Sequence, residues 1–277
     1  MKRIALTGML VFFIFIDINA WDLNQAVGGR TNSLGKCSVA LSDFWSSHNN
    51  PAGFASFQDL SFGISYGNRF LLKGLGNKDA GLLIPLNYGT LGISISQFGY
   101  EHYSENLFGL GISKKFGTKL SIGIKLYYLY IRFSDDYPSR SVPTFDLGMQ
   151  YHVNESLCIG AYIFNPINPK IGSLNNDKIP IIMRLGFSYH IIDDFMICGE
   201  IEENFEDDFS FRFGTEYEIY KSIYVRCGFQ FRPELFTFGI GYNHEWFMAD
   251  ISALMNQELG SSLSCSITFK INRINKR

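Results

Sequence analysis

The chain has 277 residues, a formal net charge of −2 and a mean hydropathy of +0.03. Since it carries no excess of positive charge, electrostatics gives no reason to expect a nucleic-acid partner. Aromatic residues make up 16% of the chain, which also contains 27 Gly. Many aromatic residues and glycines at mid-range hydropathy are typical of strands with one apolar and one polar face.

The first 20 residues have the order of a signal peptide. They begin with Lys2 and Arg3, continue with an apolar run over residues 4–16 and end on Ala20. This order predicts an exported chain that is cleaved after Ala20. A retained membrane helix is the alternative, but the run is shorter than the ~20 residues that a helical span needs, and Asp17 follows it. No later apolar stretch is long enough for a helix, so a mature chain in a membrane must cross it as strands.

From Leu60 onward apolar and polar residues alternate with period two, and turn residues interrupt them at short intervals. Over residues 209–219, for example, one face is mainly Phe, Tyr and Ile, and the other is Ser, Arg, Gly and Glu. Such an apolar face needs lipid or a core, and such a polar face suits a hydrated lumen. The pattern predicts an all-β fold, a membrane β-barrel of about 14 antiparallel strands. The predicted strands cover residues 60–67, 79–87, 90–99, 104–115, 119–133, 142–153, 156–165, 180–191, 195–203, 208–219, 222–232, 235–244, 247–256 and 261–272.

The connections between these segments differ in length according to parity. Those after even-numbered strands have two or three residues, whereas the longest ones, such as 68–78 and 166–179, follow odd-numbered strands. Membrane barrels have short periplasmic turns and longer outer loops. The parity therefore supports a membrane barrel over a soluble meander.

Residues 21–58 lack this alternation and carry two motifs. The first runs from Gly28-Gly29-Arg30 to Val39-Ala40-Leu41-Ser42-Asp43, and the second is Asn50-Pro51-Ala52-Gly53. Pro51 fixes its own φ and favours an extended Asn50, so the chain turns sharply before the first strand. The Asn50 side chain can bond nearby backbone, and Gly53 allows conformations that other residues resist.

Together these motifs resemble the N-terminal hatch of the FadL-like outer-membrane family, in particular its PorV/PorQ-type branch. The resemblance implies a fourteen-stranded barrel whose N-terminal hatch or plug segment fills the lumen. It implies a plug or ligand-binding role for Arg30, Asp43, Asn50, Pro51, Ala52 and Gly53.

The sequence departs from the family pattern in three places. Lys36 stands where small residues are usual, and Phe44 with Trp45 replaces small or acidic residues before the second motif. The chain ends in a basic tail, whereas outer-membrane barrels commonly finish on an aromatic residue, and Phe269 is expected to be the last aromatic residue of the girdle. The lining of a plug cavity is therefore expected to differ from the family's.

The chain thus divides into four parts. We predict a signal peptide (residues 1–20), an N-terminal hatch or plug (21–58), a transmembrane β-barrel (59–272) and a periplasmic tail (273–277). The expected location is the outer membrane of a Gram-negative-type bacterium, with membrane lipid as a partner.

Charged residues of mixed sign occupy the polar phase of predicted strands eight to eleven. Neighbouring charges on adjacent strands can pair across the inner wall. We expect this network to stabilise the lumen or hold the plug, in preference to binding substrate. Its members are Arg184, Glu200, Glu202, Arg212, Glu216, Glu218 and Arg226.

The cysteines and histidines are scattered. Five cysteines without paired spacing predict neither a metal site nor a disulfide framework, although a single disulfide in an oxidising periplasm stays open. Cys227 and Cys265 fall on the apolar phase of their strands. The five histidines are isolated and no catalytic motif occurs, so we expect no enzyme, no cofactor and no metal.

Two functions remain open on this basis. The FadL resemblance implies passage of hydrophobic or amphipathic small molecules through the outer membrane. The PorV/PorQ resemblance implies a non-enzymatic component or scaffold of the type IX secretion system, with secretion proteins as partners. A bound alkyl chain would favour the first, and co-purifying cargo the second.

Overall fold

The computed structural model describes residues 26–134, 138–169, 178–205 and 209–271. Within these residues fourteen antiparallel strands form one closed barrel, in which each strand pairs with its neighbours in sequence and the first pairs with the last. The predicted all-β barrel of fourteen strands is confirmed. The predicted cleavage site and basic tail lie outside the described residues.

The strands begin and end close to the predicted positions. They are β1 Leu60–Asn68, β2 Gly76–Leu86, β3 Gly89–Tyr100, β4 Tyr103–Phe116, β5 Leu120–Phe133, β6 Arg140–His152, β7 Leu157–Phe164, β8 Ile182–Ile192, β9 Phe195–Asn204, β10 Ser210–Tyr220, β11 Ile223–Phe231, β12 Leu235–Asn243, β13 Phe247–Asn256 and β14 Gly260–Ile271. Before them come the helices α1 (Gly29–Ser33) and α2 (Ser46–Asn49) and a 3₁₀-helix (Pro51–Phe54), and a second 3₁₀-helix (Arg69–Leu71) connects β1 to β2.

The period-two pattern separates an apolar outer wall from a polar inner wall. On β10, Phe211 and Phe213 are 49% and 47% exposed, whereas Arg212 between them is 7% exposed. Large apolar side chains are exposed in the same way on the other strands. A closed barrel with such a wall satisfies its backbone hydrogen bonds internally and presents hydrocarbon outward, as lipid requires. The helices among the described residues are too short or too polar to span a bilayer.

The barrel has two distinct ends. Short connections follow the even-numbered strands, as between Leu86 and Gly89 or between Tyr220 and Ile223. The longest connections follow β1, β5 and β7. We call the end with the short even-numbered connections the inner end and the opposite end the outer end.

Residues 26–58, here called the N-terminal segment, lie inside the barrel. Its helix α1 packs against β11 to β14, and its 3₁₀-helix packs against β3 to β6. Inner-wall glycines allow this close approach: a side chain on Gly148 would collide with Asn50, and one on Gly228 would collide with Gly35. The glycines of the polar phase therefore make room for the backbone of the N-terminal segment.

Candidate functional site

Described residues line two chambers within the barrel, one on each side of α1. The outer chamber has a volume of about 180 Å³ and is bounded by the outer-end connections that contain Phe70 and Pro233. The inner chamber has a volume of about 310 Å³ and reaches the inner-end connection at Asp193 and Asp194. Helix α1 contributes Asn32 to the outer chamber and Arg30 to the inner one. The N-terminal segment therefore stands between the chambers.

The outer chamber is mainly apolar and contains one lysine. Its apolar lining includes Val27 from the N-terminal segment and Leu235 and Leu254 from the inner wall. Lys36 and Arg69 each add a cation to this lining, and Asp79 adds a carboxyl group. Burial, reinforced by the nearby guanidinium of Arg212, lowers the pKa of Lys36 from 10.5 to about 8. The Lys36 amine is therefore mostly protonated at neutral pH. The chamber can accommodate an apolar molecule or an apolar chain with an anionic head.

Arg30 connects the N-terminal segment to the barrel wall at the inner chamber. Its Nε and Nη2 atoms donate to the two carboxylate oxygens of Glu216 at 2.8 and 2.7 Å, and Nη1 donates to Asp43 Oδ2 at 3.1 Å. Glu216 also accepts from Arg226 Nε at 2.5 Å, and Arg226 Nη1 donates to Asp250 Oδ1 at 2.7 Å. A two-point arginine–carboxylate contact fixes orientation as well as charge. This chain of alternating charges thus joins α1 to β10, β11 and β13.

A second ion cluster holds the turn that follows Lys36. Glu200 Oε2 accepts the backbone N–H groups of Ser38 and Val39 at 2.6 and 2.7 Å. Glu200 Oε1 accepts from Arg212 Nη1 at 2.8 Å. Arg212 also donates to Glu202, which accepts from Arg184 Nε at 2.5 Å. The backbone of the segment is therefore hydrogen-bonded to a carboxylate that the inner wall itself neutralises.

Glu218 stands apart from both clusters. Its Oε1 accepts the backbone N–H of Ser222 at 2.8 Å and so caps the turn between β10 and β11. Glu218 shares the phase of the lumen charges, and for that reason it was predicted to belong with them. Its place at the strand end gives it a local partner instead.

The Asn50-Pro51-Ala52-Gly53 motif lies away from both chambers. Asn50 is extended, with φ −154°, and its Oδ1 accepts from the Ala52 N–H at 3.1 Å while Nδ2 donates to Val39 O at 2.6 Å. Pro51 begins the 3₁₀-helix, as its fixed φ favours. Gly53 packs closely against Leu41 O. The motif therefore holds two parts of the N-terminal segment together against β5 and β6, and its atoms line neither chamber.

A buried group that the sequence analysis missed holds α2. Lys125 on β5 is 0% exposed, and its Nζ donates to Ser47 O at 2.5 Å and lies 3.9 Å from Asp146 Oδ2. The hydroxyls of Tyr127 and Tyr162 each donate to Asp146 Oδ2 at 2.9 Å. The available signal was a lone lysine on the polar phase of a long strand. Its partner Asp146 stands directly opposite on β6, but only the strand register shows this.

His48 of α2 shares this environment. Burial is the main reason that its pKa falls from 6.5 to about 3, and the nearby charge of Lys125 lowers it further. Its Nδ1 lies 3.0 Å from the Ser47 hydroxyl. His48 is therefore neutral at physiological pH and serves packing within the N-terminal segment.

Comparison with known proteins gives structural likeness without sequence likeness. No protein-family model matches the chain, and no curated protein is similar enough in sequence to match it. Among solved structures, the Ralstonia pickettii toluene transporter TbuX aligns with a TM-score of 0.70 at 11% identity, over 90% of this chain and 100% of that one. A Pseudomonas aeruginosa FadL homologue aligns with a TM-score of 0.67 at 12% identity, over 90% and 100% of the two chains. The Pseudomonas putida toluene transporter TodX gives 0.66 at 10% identity, over 90% and 98%. At these identities the likeness shows that the chain has the fold of FadL-type transporters.

Proposed function

We propose that the protein is an outer-membrane channel of the FadL-like type, which passes hydrophobic or amphipathic small molecules across the outer membrane of a Gram-negative-type bacterium. One observation carries the proposal: an apolar chamber at the outer end of a closed barrel is separated from a polar chamber at the inner end by the N-terminal segment. Ligand pockets are mainly apolar with placed polar groups, and the outer chamber has a mainly apolar surface with Lys36, Arg69 and Asp79 in its lining.

In this proposal residues 21–58 act as a plug and residues 59–272 as the transmembrane wall. Residues 1–20 are removed on export, and residues 273–277 remain in the periplasm. The ion clusters around Arg30 and Glu200 hold the plug in place, and a molecule that enters the outer chamber must pass α1 to reach the inner one. The structures of TbuX and TodX are those of toluene transporters, which supports a small hydrophobic substrate.

The test is uptake of a radiolabelled monoaromatic hydrocarbon by cells whose outer membrane lacks other channels of this kind. We expect the full chain to raise uptake and Leu254→Trp, which fills the outer chamber, to abolish the gain. Ile251→Trp is the matched control, because Ile251 lies on the same strand but is 66% exposed on the outer wall. Heat-dependent mobility in gel electrophoresis verifies that each variant forms a barrel. Equal uptake by the two assembled variants would contradict the proposal.

The PorV/PorQ-type alternative is a scaffold of the type IX secretion system that binds proteins at the outer end. Several outer-end connections of the described chain have only two or three residues, as between Tyr100 and Tyr103. Stable protein interfaces bury about 800 Å² on each partner. Short connections limit the surface that the outer end presents to a protein partner, whereas the apolar chamber suits a small molecule, so we favour the channel.

A further inference from the structure

Two cysteines meet where the N-terminal segment touches β9. Cys37 and Cys198 are 2% and 1% exposed and belong to one apolar cluster with Leu34, Leu41 and Met196. The thiols of Cys37 and Cys198 come close enough to interact electrostatically, and the Sγ of Cys198 also contacts Gly214 O at 3.5 Å. The two are 161 positions apart in sequence and join two different parts of the fold.

The backbone on both sides of Cys37 fixes this encounter. On one side, the Ser38 N–H donates to Glu200, which lies two residues from Cys198 on the same inner face of β9. On the other side, Leu34 packs directly over Gly214 of β10, the residue that stands opposite Cys198 in the strand register. Cys37 is held between these two contacts and therefore faces Cys198.

The other three cysteines have different surroundings. Cys158 is buried in a separate apolar cluster at β7, and its Sγ contacts Ile159 O at 3.8 Å. Cys227 and Cys265 are exposed on the outer wall of β11 and β14. All five cysteines are among the described residues, and Cys37 with Cys198 is the pair that shares one buried cluster.

We propose that Cys37 and Cys198 form a disulfide that ties the N-terminal segment to the barrel wall. The proposal rests on the export proposed above, because disulfides persist in oxidising compartments such as the periplasm. The bond forms by exchange with a protein disulfide as oxidant. One cysteine thiolate attacks that disulfide and releases one thiol. The second cysteine then attacks the mixed disulfide and releases the other. The two S–H bonds of the chain give way to one S–S bond, and the oxidant gains the two electrons and two protons.

The order of events follows from burial. Burial and contact with Cys198 raise the pKa of Cys37 well above its usual value of 9.0. The thiolate is the attacking species, so the packed pair reacts slowly. Exchange is therefore fastest once the segment has met β9 and β10 but before the rest of the barrel closes around it. Once the barrel is closed, the same burial shields the bond from reductants.

The test is a thiol count on the full chain isolated from the outer-membrane fraction. The sample is denatured in excess alkylating maleimide without reductant, and mass spectrometry counts the labelled cysteines. We expect three labels before reduction and five after it. Tryptic digestion of the non-reduced sample should yield a disulfide-linked pair of peptides that covers residues 37–69 and 185–212.

Variants separate this pairing from any other. Cys37→Ser and Cys198→Ser should each carry four labels without reduction, because the remaining partner becomes free. The matched control Cys158→Ser should carry two, because it keeps the bond and loses one free thiol. Five labels in the non-reduced full chain, or a linked peptide that contains Cys158, Cys227 or Cys265, would overturn the proposal. Neither measurement depends on uptake, so a failed transport assay and a failed disulfide are told apart.

Discussion

Replacing Arg212 with alanine should release the N-terminal segment from β9. Arg212 is 7% exposed and donates to both Glu200 and Glu202. Breaking a buried ion pair by removing one partner costs about 3–5 kcal/mol. Both carboxylates keep Arg184 nearby, at 3.8 Å for Glu200 and 2.5 Å for Glu202, so we expect a value near the lower limit, about 3 kcal/mol.

The Glu200 carboxylate, which loses Arg212 in this variant, also accepts the Ser38 and Val39 N–H groups of the N-terminal segment. If the substitution destabilises only the state in which the N-terminal segment is bound to the wall, the fraction of barrels in which the segment is released rises about 100-fold. This follows because 1.4 kcal/mol corresponds to a factor of ten. Swelling of proteoliposomes in small sugars measures this leak. Phe211→Ala is the control, because it removes a large side chain from the same strand but from the outer wall. An assembled Arg212→Ala barrel that leaks no more than this control would refute the reasoning.

Three further predictions concern the N-terminal segment. In competition binding, Lys36→Met should abolish a preference for alkyl carboxylates over alcohols of equal length. The unmodified chain should lose the same preference as the pH rises through about 8, where Lys36 deprotonates. The folded-state pKa of His48 lies below its unfolded value, so the packing that needs neutral His48 is intact above pH 6.5 and is lost as the pH falls towards 3. The free energy of unfolding of His48→Gln, measured in denaturant titrations, should therefore fall less with acid over that range than that of the unmodified chain, by at most about 5 kcal/mol. Parallel dependences of the unfolding free energy on pH would contradict this. Asn50→Ala leaves the Ala52 N–H without its acceptor and the Val39 carbonyl with Gln150 Nε2 as its remaining donor, and it should cost about 2 kcal/mol in thermal unfolding without changing ligand binding. A change in affinity would show that the motif reaches the chambers.

The barrel could be predicted because each strand carries its own signal. Alternation along residues 209–219 predicts which side chains face the outside of the barrel, and this prediction does not depend on the neighbouring strand. Turn residues and the parity of connection lengths then supply the strand count and the two ends. These are local properties, and fourteen repetitions of one pattern make them hard to misread.

Pairing across the wall could be predicted only in part. Arg212 and Glu200 lie on adjacent predicted strands, so their contact was expected from phase alone. Lys125 and Asp146 also lie on adjacent strands, but their pairing was not predicted, because the register that sets them opposite each other depends on where the turn falls.

The sequence by itself determined the fourteen strands, the apolar outer wall and the sharp turn at Asn50-Pro51, since these depend on residues close together in the chain. Only the tertiary structure decided that Arg30 meets Glu216, that Cys37 meets Cys198 and that Lys36 faces an apolar chamber. The first two contacts join residues 186 and 161 positions apart. They exist because the barrel closes around the N-terminal segment, and the position of that segment follows from the fit of its backbone against the inner-wall glycines.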